Sequence, residues 1–212
     1  MLIVALTGGI ATGKSIVAGV WRELGCYLHQ ADQVAHELMR PGTPVWKKIT
    51  SRFGSDILSQ DSQAIDRNRL GRRVFAHPED REFLNRLIHP LVLEEKNKVI
   101  ARLQANGKCQ IFVSEAALTI EAGYADFFHK VVVAYCPFEV QLERLRKRDG
   151  IGREEALRKL GSQMPAEDKL AHADYVIRTE GILTATIEQA EQVYRYLLQD
   201  HRLLSPGFSS PA

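Results

Sequence analysis

Apolar residues are grouped along this chain in two ways, as short unbroken runs and as repeats at helical spacing. Unbroken runs are typical of strands that are buried on both faces of a parallel sheet. They occur at positions 2–6, 26–29, 111–113, 131–134 and 175–177. Helical spacing or helix-favouring composition predicts helices at 16–24, 31–39, 138–149 and 183–198. Strands that are separated by helices indicate an α/β fold with a parallel five-stranded sheet flanked by helices.

The long stretch between the second and third predicted strands has a helical pattern. We expect a helical insertion at about 44–107, of the kind that often forms a substrate lobe, within a single folded unit of residues 1–200. Pro90 follows His89 in this stretch, and it predicts that a helix starts or kinks there because proline lacks a backbone N–H. The final residues, 205–212, are rich in Ser, Pro and Gly and are expected to be disordered.

Composition and charge narrow the classes of partner. The 28 basic and 26 acidic side chains nearly balance, so charge gives no case for a nucleic-acid or membrane partner. No apolar run approaches the ~20 residues of a membrane span, and no export signal is present. The three cysteines are far apart and form no C-x-x-C pair, which indicates a reduced, cytoplasmic protein. None of these features indicates an oligomeric state.

A glycine-rich segment follows the first predicted strand and opens the first predicted helix. Residues 8–15 match G-x-x-x-x-G-K-[ST] at every fixed position. The glycines let backbone N–H groups surround a phosphate, and the helix N-terminus adds a partial positive charge. Lys14 can reach the β- and γ-phosphates, and Ser15 can offer a hydroxyl to Mg²⁺. We therefore predict ATP and Mg²⁺ as cofactors, with nucleotide contacts from Thr7, Gly8, Gly9, Ile10, Ala11, Thr12, Gly13, Lys14, Ser15 and Ile16.

Two other classes of phosphate-loop protein fit the sequence poorly. A GTPase needs an N-K-x-D base-recognition element, and the nearest match, at 97–100, lacks the aspartate and lies in an amphipathic helix. A motor or helicase is excluded by the length of 212 residues. A small-molecule kinase remains.

Two acidic residues follow predicted strands, where ligand crevices in parallel sheets open. Asp32 could accept a hydroxyl proton during phosphoryl transfer. The alternative is that it caps a helix that begins at Gln33. Glu115 could hold Mg²⁺ directly or through water, or it could be an ordinary polar strand end.

Basic residues are concentrated at about 140–165, where three glycines also occur, and we expect this segment to form a mobile lid. Arg144 and Arg148 lie one helical turn apart and share a face. The commoner interpretation of such a run is a solvated basic helix. In a phosphate-loop kinase, however, a lid arginine must neutralise charge on the transferring group, and Arg144 is the candidate. Arg148 is a candidate for contacting phosphate or adenine.

An ordered set of short motifs makes the chain resemble one family, the dephospho-CoA kinases. The set covers nearly all of residues 1–200: L-T-G-G-I at 6–10, G-K-S at 13–15, A-D at 31–32, R-R-V-F at 72–75, L-I-H-P at 87–90, Q-L-E-R-L at 141–145, R-D-G at 148–150, S-Q-M-P at 162–165 and A-D-Y-V-I at 173–177. The chain departs from the family pattern at Gln30, where aspartate is usual, at 117–121, and at Thr179-Glu180, where an asparagine usually precedes the glycine.

The resemblance implies a reaction and roles for single residues. The reaction is transfer of the γ-phosphoryl group of ATP to the ribose 3′-hydroxyl of dephospho-CoA, with Asp32 as substrate-binding general base and Lys14 stabilising charge. His89 is either a substrate-side residue or a structural histidine. Arg72 and Arg73 either meet the substrate pyrophosphate or face water. Two alternatives to this reaction remain: another metabolite kinase, such as a nucleoside monophosphate kinase, or a nucleotide-binding regulator without turnover.

Overall fold

The structure is a computed structural model that describes residues 1–59 and 61–204. The predicted disordered tail at 205–212 lies outside the described residues. The chain divides into two compact units. The first contains residues 1–30 and the chain from residue 102 onward, and the second contains Ala31–Ala101.

The first unit contains a parallel five-stranded sheet, as predicted. Its strands are β1 (Leu2–Thr7), β2 (Tyr27–Gln30), β3 (Ile111–Glu115), β4 (Lys130–Tyr135) and β5 (Tyr175–Arg178). The spatial order is β2-β3-β1-β4-β5, and every neighbouring pair is parallel. Because β1 is central, the segment that follows Thr7 leaves the middle of the sheet at its carboxyl edge. This is the position where open α/β sheets bind ligands.

One face of the sheet is covered by the first and last helices, α1 (Lys14–Glu23) and α9 (Leu183–Leu203). Alternate residues of β1 pack with Val17, Trp21 and Val193 in the largest buried cluster. Trp21 is fully buried and its Nε1 donates to the carbonyl oxygen of Ala190 at 2.8 Å. The start of α1, which carries Lys14, is therefore attached to a rigid base.

The first unit also contains three α-helices along the chain between β4 and β5. They are α6 (Phe138–Asp149), α7 (Arg153–Leu160) and α8 (Ala166–Lys169). The bounds of α6 are those that the sequence predicts. Gly150 ends α6 with φ of 65°, a left-handed conformation that glycine adopts without a steric penalty.

The second unit is helical, as predicted. It contains α2 (Ala31–Leu38), α3 (Pro44–Phe53), α4 (Arg67–Ala76) and most of α5 (Pro78–Asn106). Its buried centre is formed by Val45, Ile49, Ile57, Leu70 and Ile88. The sequence predicts an insertion from about 44, and the compact unit begins at residue 31. Ala35 and Leu38 of α2, and Met39, which follows that helix, pack against this centre.

Pro90 does not start a helix, which corrects one form of our prediction. Instead α5 runs through it as one helix of 29 residues. Pro90 has no N–H, so the carbonyl oxygen of Arg86 loses its usual partner four residues on. The helix tolerates this loss because the apolar stripe around Ile88 packs into the centre of the unit.

We predict that Pro90→Ala stabilises the protein, by about 1–3 kcal/mol in the free energy of unfolding, because it restores a helical hydrogen bond and removes a ring clash. Urea unfolding followed by circular dichroism measures the change. Pro78→Ala is the matched control, since a proline in the first turn of a helix costs little. Equal effects of the two substitutions would contradict the prediction.

Candidate active site

The glycine-rich segment 8–13 links β1 to α1 in a tight loop. Gly8 has φ of 144° and Gly13 has φ of 85°, both outside the region that other residues readily occupy. A Cβ atom at Gly8 would also overlap the carbonyl oxygen of Ala134, at the end of the neighbouring strand β4. The loop thus needs glycine both for its turn and for its close approach to β4.

The charged and hydroxyl groups that the sequence assigns to ATP lie at the start of α1. The Nζ atom of Lys14 donates to the carbonyl oxygens of Gly8 and Gly9, each at 2.8 Å. Ser15 and Ile16 are exposed in the first turn. Lys14 thus lies across the loop with its charge near the N-terminus of α1, where an anion is favoured.

The peptide groups on either side of Ile10 are held by two glutamine side chains. Gln163, which follows α7, accepts a hydrogen bond from the backbone N–H of Ile10 at 2.9 Å. Gln141, which is buried in α6, donates to the carbonyl oxygen of Ile10 at 2.6 Å. The side chain of Ile10 also packs against the cluster of α6 and α7 that includes Leu142. The predicted lid segment is therefore in direct contact with the phosphate loop.

Arg144 contacts the residue that follows β5. Its Nη1 and Nη2 atoms donate to the Oγ1 atom and the carbonyl oxygen of Thr179, at 3.1 and 2.5 Å. Thr179 Oγ1 in turn lies 2.8 Å from the carbonyl oxygen of Thr12, in the phosphate loop. Arg144 is thus connected to the loop through one intervening residue.

Arg148 lies on the exposed part of α6 and has a different partner. Its Nε atom is 2.7 Å from Asp149 Oδ1, and Lys159 of α7 approaches the same carboxylate at 3.1 Å. These contacts lower the pKa of Asp149, with the hydrogen bond from Arg148 as the largest cause. The predicted contact of Arg148 with phosphate or adenine stays a prediction.

Glu115 ends β3 beside the end of β2. The register pairs it with Gln30, whose Nε2 atom lies 3.1 Å from Glu115 Oε2. A neutral amide therefore holds this carboxylate in place. Within residues 1–59 and 61–204 there is no group of three or more His, Cys, Asp or Glu side chains that could hold a metal ion.

A buried lysine supports the entrance to the loop. Lys169 of α8 is fully buried, and its Nζ atom contacts the carbonyl oxygen of Ala117 at 2.8 Å and Glu121 Oε1 at 2.7 Å. Thr7, the last residue of β1, donates to the same Ala117 carbonyl at 3.3 Å. This ion pair fixes the segment after β3, where the sequence departs from the family pattern.

Asp32 lies in the second unit, as the second residue of α2, and its side chain is exposed. The alternative that it caps a helix beginning at Gln33 disagrees with the structure, because the helix already includes Ala31. Its carboxylate lies in the first turn of the helix, where the macrodipole favours a negative charge.

The predicted substrate-binding residues of the second unit lie on α4 and α5. Arg72 is exposed on α4. Arg73 is not simply in water, because its Nε atom is 3.0 Å from Asp80 Oδ2, and this hydrogen bond is the largest cause that lowers the pKa of Asp80. Arg52 contacts the other oxygen of Asp80 at 3.2 Å. His89 is half-buried in α5, and its burial lowers the pKa of the imidazole.

The sequence alone assigns no role to Gln141, Gln163 or Thr179. In the structure, Gln141 and Gln163 contact the phosphate loop, and Thr179 contacts both the loop and Arg144. Gln141 carried a detectable signal, since it is a polar residue on the apolar stripe of α6 that continues through Leu142 and Leu145. Gln163 and Thr179 lie outside helices and strands, where a polar residue gives no such contrast.

Comparison with known proteins decides the family. The family model for dephospho-CoA kinase matches residues 2–199. The chain belongs to the dephospho-CoA kinase family. A family member from Carboxydothermus hydrogenoformans is 42% identical over 187 residues, which are 88% of this chain and 90% of that protein. One from Syntrophotalea carbinolica is 38% identical over 211 residues, which are 100% and 96% of the two chains.

Solved structures agree with this assignment to the dephospho-CoA kinase family. A dephospho-CoA kinase from Campylobacter jejuni has a TM-score of 0.67 with 29% identity, covering 93% of this chain and 98% of that one. A protein from Thermus thermophilus has a TM-score of 0.77 with 27% identity, covering 92% and 96%. In the described part of the chain, no helix is long and apolar enough to cross a membrane.

We predict that Gly8→Ala weakens ATP binding about tenfold or more. The substitution strains the backbone by roughly 1–3 kcal/mol and presses a methyl group against β4. Isothermal titration calorimetry with ATP and Mg²⁺ measures the change. Gly19→Ala, in α1, is the matched control, since a Cβ there meets no atom within 4 Å. Wild-type ATP affinity in a folded Gly8→Ala protein would contradict the role given to this glycine.

Proposed function

We propose that this protein transfers the γ-phosphoryl group of ATP to the ribose 3′-hydroxyl of dephospho-CoA, giving CoA and ADP in the cytoplasm. This reaction is the last step of coenzyme A synthesis. The observation that carries the proposal is the complete phosphate loop at the carboxyl edge of β1, in a chain that matches the dephospho-CoA kinase family over nearly its whole length.

The phosphate loop and two cations bind the donor. The backbone N–H groups of the loop and the start of α1 hold the β- and γ-phosphates. Lys14 exchanges its carbonyl partners for phosphate oxygens when ATP enters. Arg144 acts with Lys14 on the negative charge of the transferring group, since electrostatic stabilisation is the main contribution that a kinase makes.

Ser15 and Glu115 are the residues that would hold Mg²⁺. Hydroxyl and carboxylate oxygens are ligands that this ion prefers, and the amide of Gln30 keeps the Glu115 carboxylate in one orientation. When bound, the ion neutralises part of the charge on the β- and γ-phosphates. The remaining ligands would come from phosphate oxygens and water.

Asp32 takes the proton of the attacking hydroxyl. The side chain is exposed at the start of a helix, so an acceptor can reach it. One carboxylate is enough for this step, because only one proton leaves.

The second unit has features that suit an anionic nucleotide as acceptor. A cavity of about 360 Å³ is lined by carbon-rich side chains, among them Met39, Leu70 and Leu84, with His36 and Arg67 also on its wall. His36 lies one helical turn beyond Asp32 on α2, so the two side chains share a face. An apolar cavity with basic residues on its wall fits a base and its phosphates. Arg72, Arg73 and His89 are the further candidates for the pyrophosphate of dephospho-CoA.

The segment at about 140–165 is proposed to close over ATP as a lid. Its contacts with Ile10 connect its position to the shape of the phosphate loop. Closure would exclude water and so limit wasteful hydrolysis of ATP.

An acceptor panel tests the proposed reaction. We expect the protein with ATP and Mg²⁺ to phosphorylate dephospho-CoA at the 3′-hydroxyl, detected by mass spectrometry, and to leave AMP, CMP, UMP and dTMP almost unchanged. Lys14→Ala should lose activity by orders of magnitude with its fold intact, which excludes a contaminating kinase. Turnover of a monophosphate but not of dephospho-CoA would favour the nucleoside monophosphate kinase alternative. No turnover of any acceptor would favour a nucleotide-binding regulator.

We predict that Asp32→Asn lowers kcat by roughly 10²–10⁴-fold, because asparagine keeps the shape but cannot accept the proton. The urea midpoint should change little, since the side chain is exposed. Glu37→Gln, on another face of the same helix, is the matched control. A loss of stability with kcat intact would mean that the carboxylate serves only the helix.

A further inference from the structure

Thr179 is a buried residue with contacts in three directions. It follows β5 directly, and only 2% of its surface is exposed. Its backbone N–H donates to the carbonyl oxygen of Tyr135, the last residue of β4, at 2.8 Å. The backbone of Thr179 is therefore held by the end of β4.

The hydroxyl of Thr179 connects a cation to the loop. Oγ1 accepts from Arg144 Nη1 at 3.1 Å and lies 2.8 Å from the carbonyl oxygen of Thr12 and 3.3 Å from that of Tyr135. One hydroxyl has one proton, so the shorter distance makes Thr12 its main acceptor. Arg144, the hydroxyl and the Thr12 carbonyl thus form a chain in which each hydrogen bond polarises the next.

The same side chain occupies the space beside Gly13 of the loop. A Cβ atom built on Gly13 would meet Cβ and Oγ1 of Thr179 at 3.3 Å. Gly13 is the last residue before α1, and its φ of 85° sets the direction of the N–H groups at the start of that helix. Thr179 therefore leaves little room for a side chain at Gly13, in addition to its hydrogen bond to the loop.

We propose that Thr179 is a positioning residue of the nucleotide site, one that holds the Thr12–Gly13 peptide and the Arg144 guanidinium in a single fixed arrangement. The proposal rests on the proposed function for the role of Arg144, and it concerns the donor rather than the acceptor. Loss of the hydroxyl leaves the carbonyl of Thr12 and one N–H of Arg144 without their shared partner. The guanidinium then keeps only its bond to the carbonyl oxygen of Thr179 and loses its connection to the loop, so the phosphates of ATP are held less well.

Two substitutions separate the hydroxyl from the shape of the side chain. Thr179→Val keeps the branched shape and removes the hydroxyl, and Thr179→Ser keeps the hydroxyl and removes the methyl group. We expect Thr179→Val to weaken ATP binding about tenfold and to lower kcat, with Thr179→Ser within about threefold of the wild type. The Michaelis constant for dephospho-CoA should stay unchanged in both variants.

A double-mutant cycle shows whether Thr179 acts through Arg144. Thr179→Val should reduce ATP affinity by a clearly smaller factor in the Arg144→Ala protein than in the wild type. The reason is that the guanidinium, one of the two groups that the hydroxyl joins, is already absent. Thr186→Val is the control for removal of a buried threonine hydroxyl, since Thr186 lies on α9 and is also 2% exposed. It should leave ATP affinity unchanged.

ATP affinity is measured by calorimetry without an acceptor, so the result stands even if the acceptor panel identifies a different alcohol. Additive effects of Thr179→Val and Arg144→Ala would overturn the proposal. So would a Thr179→Val protein that loses thermal stability but binds ATP like the wild type, or a Thr179→Ser protein as impaired as Thr179→Val.

Discussion

A phosphate-binding loop has to present most of its backbone N–H groups to a ligand, so few of them can hold its own shape. Thr12 and Lys14 bond to carbonyl oxygens within the loop, and the rest of the first unit adds support from outside it. Gln141 and Gln163 hold the peptides around Ile10, and Thr179 holds the carbonyl of Thr12. These three residues come from α6, from the turn after α7 and from the end of β5. The fold must therefore bring distant parts of the chain to the carboxyl edge of β1 before the loop has a defined shape.

The supports of the loop are neutral groups, amides and a hydroxyl. A carboxylate in the same positions would repel the phosphates that the loop has to accept. Lys14, which bonds to the loop carbonyls, and Arg144, which reaches the loop through Thr179, are cations, and the helix N-terminus adds a partial positive charge. The carboxylate of Glu121 does lie near this region, but it is paired with the buried Lys169 at 2.7 Å. Lys14, within the loop, is thus a cation, as is Arg144, which reaches it through Thr179, although the chain as a whole is nearly neutral.

The sequence alone predicts the sheet well, because unbroken apolar runs and the positions of glycine carry most of the information for a parallel α/β fold. It also predicts the donor loop, whose eight residues are contiguous. It predicts less about residues that act across long separations. The contact between Ile10 and Gln163 joins positions 153 residues apart, and no local pattern encodes it. At Pro90 the local sequence predicts more than the structure contains. Proline chemistry predicts that a helix starts or kinks there, but α5 continues through Pro90 because its apolar residues pack in the second unit.

The pair formed by Gln30 and Glu115 has a consequence for the protein before any ligand arrives. Two carboxylates at these register-matched strand ends would repel each other, by about 1 kcal/mol in water and about 4 kcal/mol in a less polar surface environment at 4 Å. They would then depend on a divalent cation to keep the ends of β2 and β3 together. An amide facing a carboxylate attracts instead of repelling. The side chains at this edge of the sheet thus attract each other without a metal, and the Glu115 carboxylate is already oriented when the nucleotide enters.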